Sequence, residues 1–593
     1  MGVRTGTGQG PVGEQDEERA QNNERQETVT VLPDGKPDAE PKEKQDGPDG
    51  KPGGHPDEAE GTAEEKTGGK AGAKAAGAKA AGAAAAGAAA AGAAAAGAAV
   101  PVAGGLPEFA GRWAGAVAGA SGLALLLVST RYGFQGDELY FLGAGQHLDW
   151  GYADQPALLP LLARVVDAAS GGSLLALRLL PALLTVAGVL VAALTAREFG
   201  GARRAQLLTA AAYGFAPAVL ISGHALSTMA VDLFLWTTVN WLLIRWVRTR
   251  EDRLLLWSGL ATALALQGKY LIVGFWLVVV VTVWAAGPRE LLRRGPLWIG
   301  GAVAVVTSLP GLIWQARHDW PQLEMSGVLA DEKILGGRAG FLPYLVVLSG
   351  GVFTVVLVYG LVRLLRAPHL APYRFLAWTF LGLTAVFLVT GGRPAYVVGV
   401  FAPLWAAGAV ELARGGGARW WRWLAAWPVV ALTALVCVAL SLPVYPVSQV
   451  TKTEQPANNP MTAETLRWPN LIDAVEEAYK TLPADARKRA VVVTQYYEEA
   501  GAVDHLGADR GLPDAYSGHR GYWYFGAPSD SSGPVLYVGS DVAKLKPYFS
   551  SVRKAARAAG GPGESYVDGV PVWVLDGRKQ PWSEIWKDYG HLS

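Results

Sequence analysis

Between Trp113 and Leu442 the sequence returns repeatedly to apolar runs of about 20 residues, the length a helix needs to cross a ~30 Å hydrocarbon layer. Eleven such runs can be drawn: 113–130, 174–196, 205–222, 228–246, 254–268, 270–286, 297–314, 343–362, 375–390, 396–413 and 424–442. Lipid offers no partner to a backbone N–H or C=O, so runs of this kind predict helices packed side by side. They exclude an ordinary soluble multidomain enzyme. Composition agrees, because charged residues make up 17% of the chain against roughly 25% in a typical soluble domain.

The loops orient the helices. With the N-terminus taken as cytoplasmic, loops 197–204, 245–253, 287–296, 363–374 and 411–422 face the cytoplasm and hold 16 Lys/Arg, and the opposite loops hold 7. Cytoplasmic loops are the Lys/Arg-rich ones, so the chain is expected to lie in the plasma membrane with its N-terminus inside and its C-terminal part outside. Ahead of the first run, residues 1–69 have almost no large apolar side chain, and residues 70–99 repeat an AGAAA pattern. Neither part can offset the entropy of ordering, which predicts a disordered, acidic, then Ala/Gly-rich cytoplasmic tail over 1–109. No basic-then-apolar leader opens the chain, so no secretory signal peptide is expected. The formal net charge of +1 is a cancellation between −6 in residues 1–100 and +7 in the remainder, with no compact Lys/Arg block of the kind that binds nucleic acid. The single cysteine, Cys437, rules out an internal disulfide and reads as a small buried hydrophobe.

The expected domains are thus the tail, a membrane domain over 110–442, and an extracytoplasmic α/β domain over 443–593. In the last, AVVVTQYY (490–497), PVLYVGS (534–540) and PVWVLDG (571–577) read as strands, and 462–482 and 541–557 as helices.

Chemistry-bearing residues collect at the outer ends of the runs. The long loop 131–172 carries Asp137, Glu138, His147, Asp149 and Asp154. Residues 137–148 have helical amphipathic spacing, which would rest Leu139, Phe141, Leu142 and Leu148 on the membrane surface. A carboxylate at that depth can take a proton from a hydroxyl or hold a cation; it can equally be part of a solvated acidic loop that caps helices. Asp232 stands near the start of the fourth run. Burying a carboxylate in lipid is costly, so it is either functional or a helix-start residue close to the interface. Lys269, in the short turn of ALQGKYLIV, can pair with a phosphate or serve as an ordinary interfacial lysine. His224 and His318 are weaker candidates. No phosphate-binding Gly-rich loop or zinc motif is present, so nucleotide-dependent chemistry is not indicated.

The run GFQGDELYFLGAGQHLDWGYADQPALLPLLA resembles the first-loop signature of bacterial GT-C glycosyltransferases. These are the family of dolichyl-phosphate-mannose protein mannosyltransferases and the lipid A aminoarabinose transferase. The likeness continues in ALSTMAVDLFLW, in the Gly-Lys-Tyr of 268–270, in WQARHDWPQLE (314–324), in GGRPAYVVGVFAP (391–403) and in AYSGHRGYWYFGAP (515–528). The resemblance implies a polytopic GT-C fold and inverting transfer of a mannose-like hexose or a pentose. The donor would be a polyprenyl-phosphate sugar, and the acceptor a hydroxyl on protein, lipid or wall glycan. It implies Asp137 as general base, Asp232 as the second acidic position and Glu138 as a supporting catalytic residue. Lys269, Arg393, Asp154, His224 and Tyr396 would bind substrate. A divalent cation, Mg or Mn, is compatible with this family, and its ligands here would be Asp137 and Asp154. The sequence departs from the family pattern at Asp154–Gln155–Pro156–Ala157, which loses one proline, and at Arg393–Pro394–Ala395–Tyr396, where Arg replaces Lys. It departs again at Gln495–Tyr496–Tyr497–Glu498–Glu499 and at Arg520, where Asn is usual.

Two other classes compete. A transporter or lipid-linked sugar flippase would show inverted repeats with broken helices in matching positions, and no self-similarity of that kind is visible. A non-catalytic scaffold would leave Asp137, Asp232 and Lys269 without a common purpose.

Overall fold

In the computed structural model the described residues are 105–331, 336–415, 422–452, 465–561 and 565–593. The acidic tail and the Ala/Gly tether lie outside the described residues.

Every one of the eleven apolar runs is helical. α1 (Gly111–Val128) is followed, within the long loop, by α2 (Gly136–Gln146) and α3 (Leu158–Ser170). The bundle continues through α4 (Leu174–Glu198), α5 (Arg203–Gly214), α6 (Pro217–His224) and α7 (Thr228–Thr249). Next come α8 (Arg253–Leu266), α9 (Leu271–Ala286), α10 (Gly295–Arg317) and the loop helix α11 (Pro321–Asp331). α12 (Gly337–Ser349), α13 (Val352–Arg366), α14 (Arg374–Thr390), α15 (Phe401–Ala413) and α16 (Trp427–Ser441) complete it. Among the described residues five helical stretches are long and apolar enough to span a bilayer, and two bent pairs bring the number to seven.

The bent pairs are where the sequence reading was too simple. The run 205–222 breaks by 56° between α5 and α6, and the run 343–362 by 107° between α12 and α13. Pro217 lacks an N–H and turns the preceding residue away from helix, which ends α5. At the second break Gly350 and Gly351 have φ of 81° and 49°, a corner that residues with a Cβ take only with strain. α8, α9 and α16 are apolar but short. α7 is long, but Asp232, Arg245 and Arg248 lower its hydropathy.

Helices approach each other where side chains are smallest. A Cβ on Gly360 of α13 would fall 1.8 Å from the Leu404 carbonyl oxygen of α15. Such contacts pack the bundle by van der Waals attraction, because lipid supplies no hydrophobic drive between helices. At the predicted cytoplasmic ends, Glu198 accepts from Arg248 at 2.6 Å, and Glu411 is paired with Arg363 and His369.

Beyond Leu442 the chain forms α17 (Trp468–Lys480), β1 (Val491–Thr494), α18 (Tyr497–Leu506), β2 (Ala515–Ser517) and β3 (Val535–Val538). β4 (Phe549–Arg557), β5 (Pro571–Arg578) and α19 (Trp582–Tyr589) follow. The five strands make one sheet in the order β2-β1-β3-β5-β4, parallel on the β2-β1-β3 side and antiparallel on the other. The helix expected over 541–557 is in fact mostly strand β4. It forms the sheet edge, where the exposed Arg553 and Lys554 discourage further strand pairing.

This α/β part does not stand away from the membrane helices. α18 packs on α2 so closely that a Cβ on Gly501 would lie 2.7 Å from the Leu139 carbonyl oxygen. That contact corrects the expectation of a surface-lying amphipathic loop. Leu139, Phe141 and Leu142 are buried inside the protein between α2's neighbours, and of the four expected lipid contacts Leu148 alone is exposed.

α2 is fixed by a buried ion pair. Gln135 and Glu138 form a capping box, in which Glu138 accepts the Gln135 N–H at 2.9 Å. The same carboxylate pairs with Arg178 of α4 at 2.7 Å and accepts the Leu226 N–H at 3.0 Å. Arg178 also donates to the carbonyls of Ser129 and Gly133 at 2.5 and 2.9 Å. Both side chains are at most 2% exposed. Removing one partner leaves an uncompensated buried charge, so Arg178→Met or Glu138→Leu is expected to cost about 3–5 kcal/mol, and the double variant clearly less than the sum. Thermal unfolding of the three variants in detergent checks this, and simple additivity would show that the two groups are not coupled.

Candidate active site

Two groups of polar side chains carry the expected site residues. The first is centred on Asp137, in the first turn of α2. Its Oδ1 accepts the Tyr497 hydroxyl of α18 at 2.9 Å, so a residue of the α/β part touches the candidate base directly. Asp154 accepts the Tyr140 hydroxyl at 2.7 Å, and its loop is held by the Gln322 side chain, which donates to the Asp154 carbonyl at 3.0 Å. Tyr140 and Tyr497 lie ring to ring at 4.6 Å. The Arg520 guanidinium sits 5.2 Å over the Tyr497 ring.

Electrostatics bind these groups together. Burial raises the Asp154 carboxyl above the usual carboxylate range, the Asp137 charge acts in the same direction, and Arg520 opposes both. Glu498 is pushed up to about 7 by burial and by Asp137, again against Arg520. Burial and the neighbouring Asp137 carboxylate also hold the Tyr497 phenol well above its ordinary value, so it remains a hydroxyl donor.

The second group brings together Asp232, Lys269 and Tyr396. Asp232 is buried in α7, and its Oδ1 has no hydrogen-bond partner among the described residues. It lies in the field of Lys269, whose ammonium stands 4.7 Å over the Tyr396 ring. Arg393 opens the short 3-10 turn Pro394–Val400 that carries Tyr396, and lines a cleft with Arg338, Phe341 and Phe387. The two groups are joined through the backbone. Leu158 N–H at the start of α3, just past Asp154, donates to the Gln267 carbonyl two residues before Lys269, at 3.0 Å. Glu138 holds Leu226, six residues before Asp232.

Glu138 has both oxygens taken by Arg178 and by backbone N–H groups, so it is a strut rather than a proton carrier. His224 stands 3.3 Å from Arg178, beside the buried Glu138–Arg178 pair. Asp137 and Asp154, the expected cation ligands, each accept a tyrosine hydroxyl, and among the described residues no group of three or more His, Cys, Asp or Glu side chains is placed to hold a metal ion. Asp149 is occupied by the Trp314 indole N–H at 2.8 Å, and His147 stacks on Phe525.

Sequence reasoning missed Tyr497 and Tyr140 as partners of the carboxylates, and Arg178. A lone Arg inside the apolar LLALRLLPALL was the available signal for Arg178. Tyr497 showed only as part of a departure from the family pattern, and its partner Asp137 is 360 residues away in sequence.

The sequence profile of the dolichyl-phosphate-mannose-protein mannosyltransferase family matches residues 154–314, a stretch that contains Asp154, Asp232 and Lys269 but not Asp137. The structure is similar to crystal structures of ArnT from Cupriavidus metallidurans, one bound to undecaprenyl phosphate and one in the apo state. The TM-score is 0.51 in both cases at 16% identity, covering 78% and 77% of this chain and 98% and 97% of theirs. The membrane body has the GT-C fold. The chain is also 26% identical over 265 residues to the lipid A galacturonosyltransferase RgtD of Rhizobium johnstonii. That alignment covers 43% of this chain and 54% of the relative, so the chain spans about half the length of the curated relative it matches. The GT-C resemblance read from the motifs is therefore confirmed.

The buried carboxyls of the α/β part make its stability depend on pH. Asp504, Glu498 and Glu499 are raised by burial to about 6, about 7 and about 8. The unfolded chain releases these protons near pH 4 to 4.5, the folded chain only later, so the stabilisation is complete below about pH 4 and is lost as pH rises through about 8. The melting temperature is expected to fall across that window, and Glu499→Gln to flatten the fall at its upper end. A melting temperature that rises steadily from pH 5 to pH 8 would contradict these assignments.

Proposed function

We propose that this chain is an integral-membrane glycosyltransferase that moves a sugar from a polyprenyl-phosphate donor to an acceptor hydroxyl on protein, lipid or wall glycan. The reaction takes place at the outer face of the plasma membrane, with the N-terminus cytoplasmic and the α/β part outside. The observation that carries this reading is the placing of Asp137 against Tyr497 beside a second, cationic group on the GT-C bundle.

The chemistry needs two things, a base for the attacking hydroxyl and positive charge for the departing phosphate. Asp137 takes the acceptor proton. The acceptor oxygen attacks the anomeric carbon on the face opposite the phosphate, the carbon–oxygen bond to phosphate breaks, and polyprenyl phosphate leaves with the electron pair. Configuration inverts. Lys269 and Arg393 meet the phosphate charge, Arg393 with the two-pronged geometry that suits phosphate oxygens. Tyr396, under the Lys269 ammonium, limits where that charge can sit. The Tyr497 hydroxyl fixes one Asp137 oxygen and leaves the other for the acceptor. A phosphate is a good leaving group, so no separate general acid is required. A transporter reading gains little from the two broken helices, because their bends of 56° and 107° are not a matched pair.

Asp137→Asn in the purified, lipid-reconstituted chain is expected to lower transfer at least ~100-fold while leaving donor binding intact. The assay uses a panel of mannosyl, arabinosyl, aminoarabinosyl and galacturonosyl polyprenyl phosphates, with retention of undecaprenyl phosphate measured separately. Unchanged turnover in the variant would remove Asp137 from the base role.

A further inference from the structure

Arg520 stands where the usual family pattern has Asn, and its backbone is held unusually. Its φ is 50°, in the left-handed region, where a long side chain is uncommon. The conformation is imposed from the far end of the chain. Arg520 N–H donates to the His591 carbonyl at 2.9 Å, His591 N–H donates to Gly518 at 2.8 Å, and Arg520 Nε reaches the Leu592 carbonyl at 3.3 Å. His519 and His591 stack beside it at 5.1 Å. Residues 589–592 thus form a strap behind the 518–520 turn and aim the guanidinium over Tyr497 toward the membrane loops. Strain of this kind persists only where surrounding contacts over-determine it, and it collects at functional sites.

The guanidinium lies over the ring of the tyrosine that donates to Asp137, within electrostatic reach of Asp154 and Glu498. Its charge acts on Asp154 and on Glu498, and the Asp137 charge acts on both of the same groups. Burial is the larger reason that Asp154 and Glu498 are raised, and the Asp137 charge adds to it; a bound divalent ion is one common way to hold carboxylates of this kind together. Here their hydrogen-bond partners are tyrosine hydroxyls, and a fixed positive side chain already lies beside them.

We propose that Arg520 is the built-in cation of the acidic cluster: a positioning residue, supplied by the α/β part, that holds Asp154 and Glu498 beside Asp137 and takes the place of a divalent metal. The inference rests on the glycosyltransferase reading for its activity arm only. It accounts for the 589–592 strap behind the 518–520 turn. It also means that transfer requires the α/β part to be docked, since the charge that organises the cluster is carried by it.

The test compares wild type, Arg520→Ala and Arg520→Lys, full length and reconstituted in lipid nanodiscs, by Mn²⁺ titration followed by electron paramagnetic resonance and by sugar transfer with and without EDTA. Wild-type transfer is expected to be indifferent to EDTA. Arg520→Ala is expected to lose about 100-fold in transfer, the scale of removing one preorganised charge, and Arg520→Lys to recover most of it. Arg520→Ala is expected to bind Mn²⁺ at least ~10-fold more tightly than wild type, because the vacated cluster then attracts a cation. Should Arg520→Ala not fold, Arg520→Gln, which keeps the reach without the charge, is read in its place. Loss of wild-type activity in EDTA with rescue by Mn²⁺ would overturn the proposal. So would equal Mn²⁺ affinity in wild type and the neutral variant, which would reduce Arg520 to a structural residue. Failure of wild type to transfer any sugar of the panel would defeat the glycosyltransferase reading instead, and the Mn²⁺ comparison would still decide the role of Arg520.

Discussion

A carboxylate and a guanidinium removed from water, Glu138 and Arg178, set the frame in which everything else at the site is placed. Each ion pays several kcal/mol of desolvation on entering the interior, which only excellent geometry can offset. The geometry is excellent: Arg178 spreads its donors over Glu138, Ser129 and Gly133, and Glu138 accepts from the backbone of Gln135 and Leu226 as well. One interaction therefore ties the end of α1, the start of α2, the start of α4 and the entry to α7. Asp137 is adjacent to Glu138 in sequence and points elsewhere only because its neighbour is locked. A pair of adjacent acidic residues thus divides: Glu138 is held in a buried ion pair, and Asp137 meets Tyr497 of α18.

The second dependence runs between the two halves of the chain. α18 can lie on α2 because Gly501 has no side chain to hold it off the Leu139 carbonyl. That approach is what lets Tyr497 reach Asp137 and Arg520 reach over Tyr497. The membrane loops supply Asp137, Asp154 and Tyr140, and the α/β part supplies Tyr497, Glu498 and Arg520. Neither half contains the whole cluster.

Much of the fold was legible because bilayer physics leaves few choices. Length and apolarity alone located all eleven helical runs, and motif likeness located Asp137, Asp154, Asp232, Lys269 and Arg393. What was not legible depends on contacts distant in sequence. The break at Gly350–Gly351 lies inside what read as one apolar run, the buried face of α2 looked like a lipid-facing one, and β4 looked helical. Glu138 looked catalytic because acidity in an outer loop is visible in sequence and its partner Arg178, 40 residues away, is not. Tyr497 and Arg520 were visible only as departures from a familiar pattern. Their meaning came from the atoms they touch.

The claim at the centre of this account is that the acceptor-activating carboxylate is completed by the α/β part through one hydrogen bond. Single-turnover transfer by Tyr497→Phe, which keeps the ring packing against Tyr140 and removes only the hydroxyl, tests it most directly. The account predicts that the rate of the chemical step falls about 10-fold or more while undecaprenyl phosphate binding and the melting temperature stay close to wild type. A variant with an unchanged chemical step would contradict it.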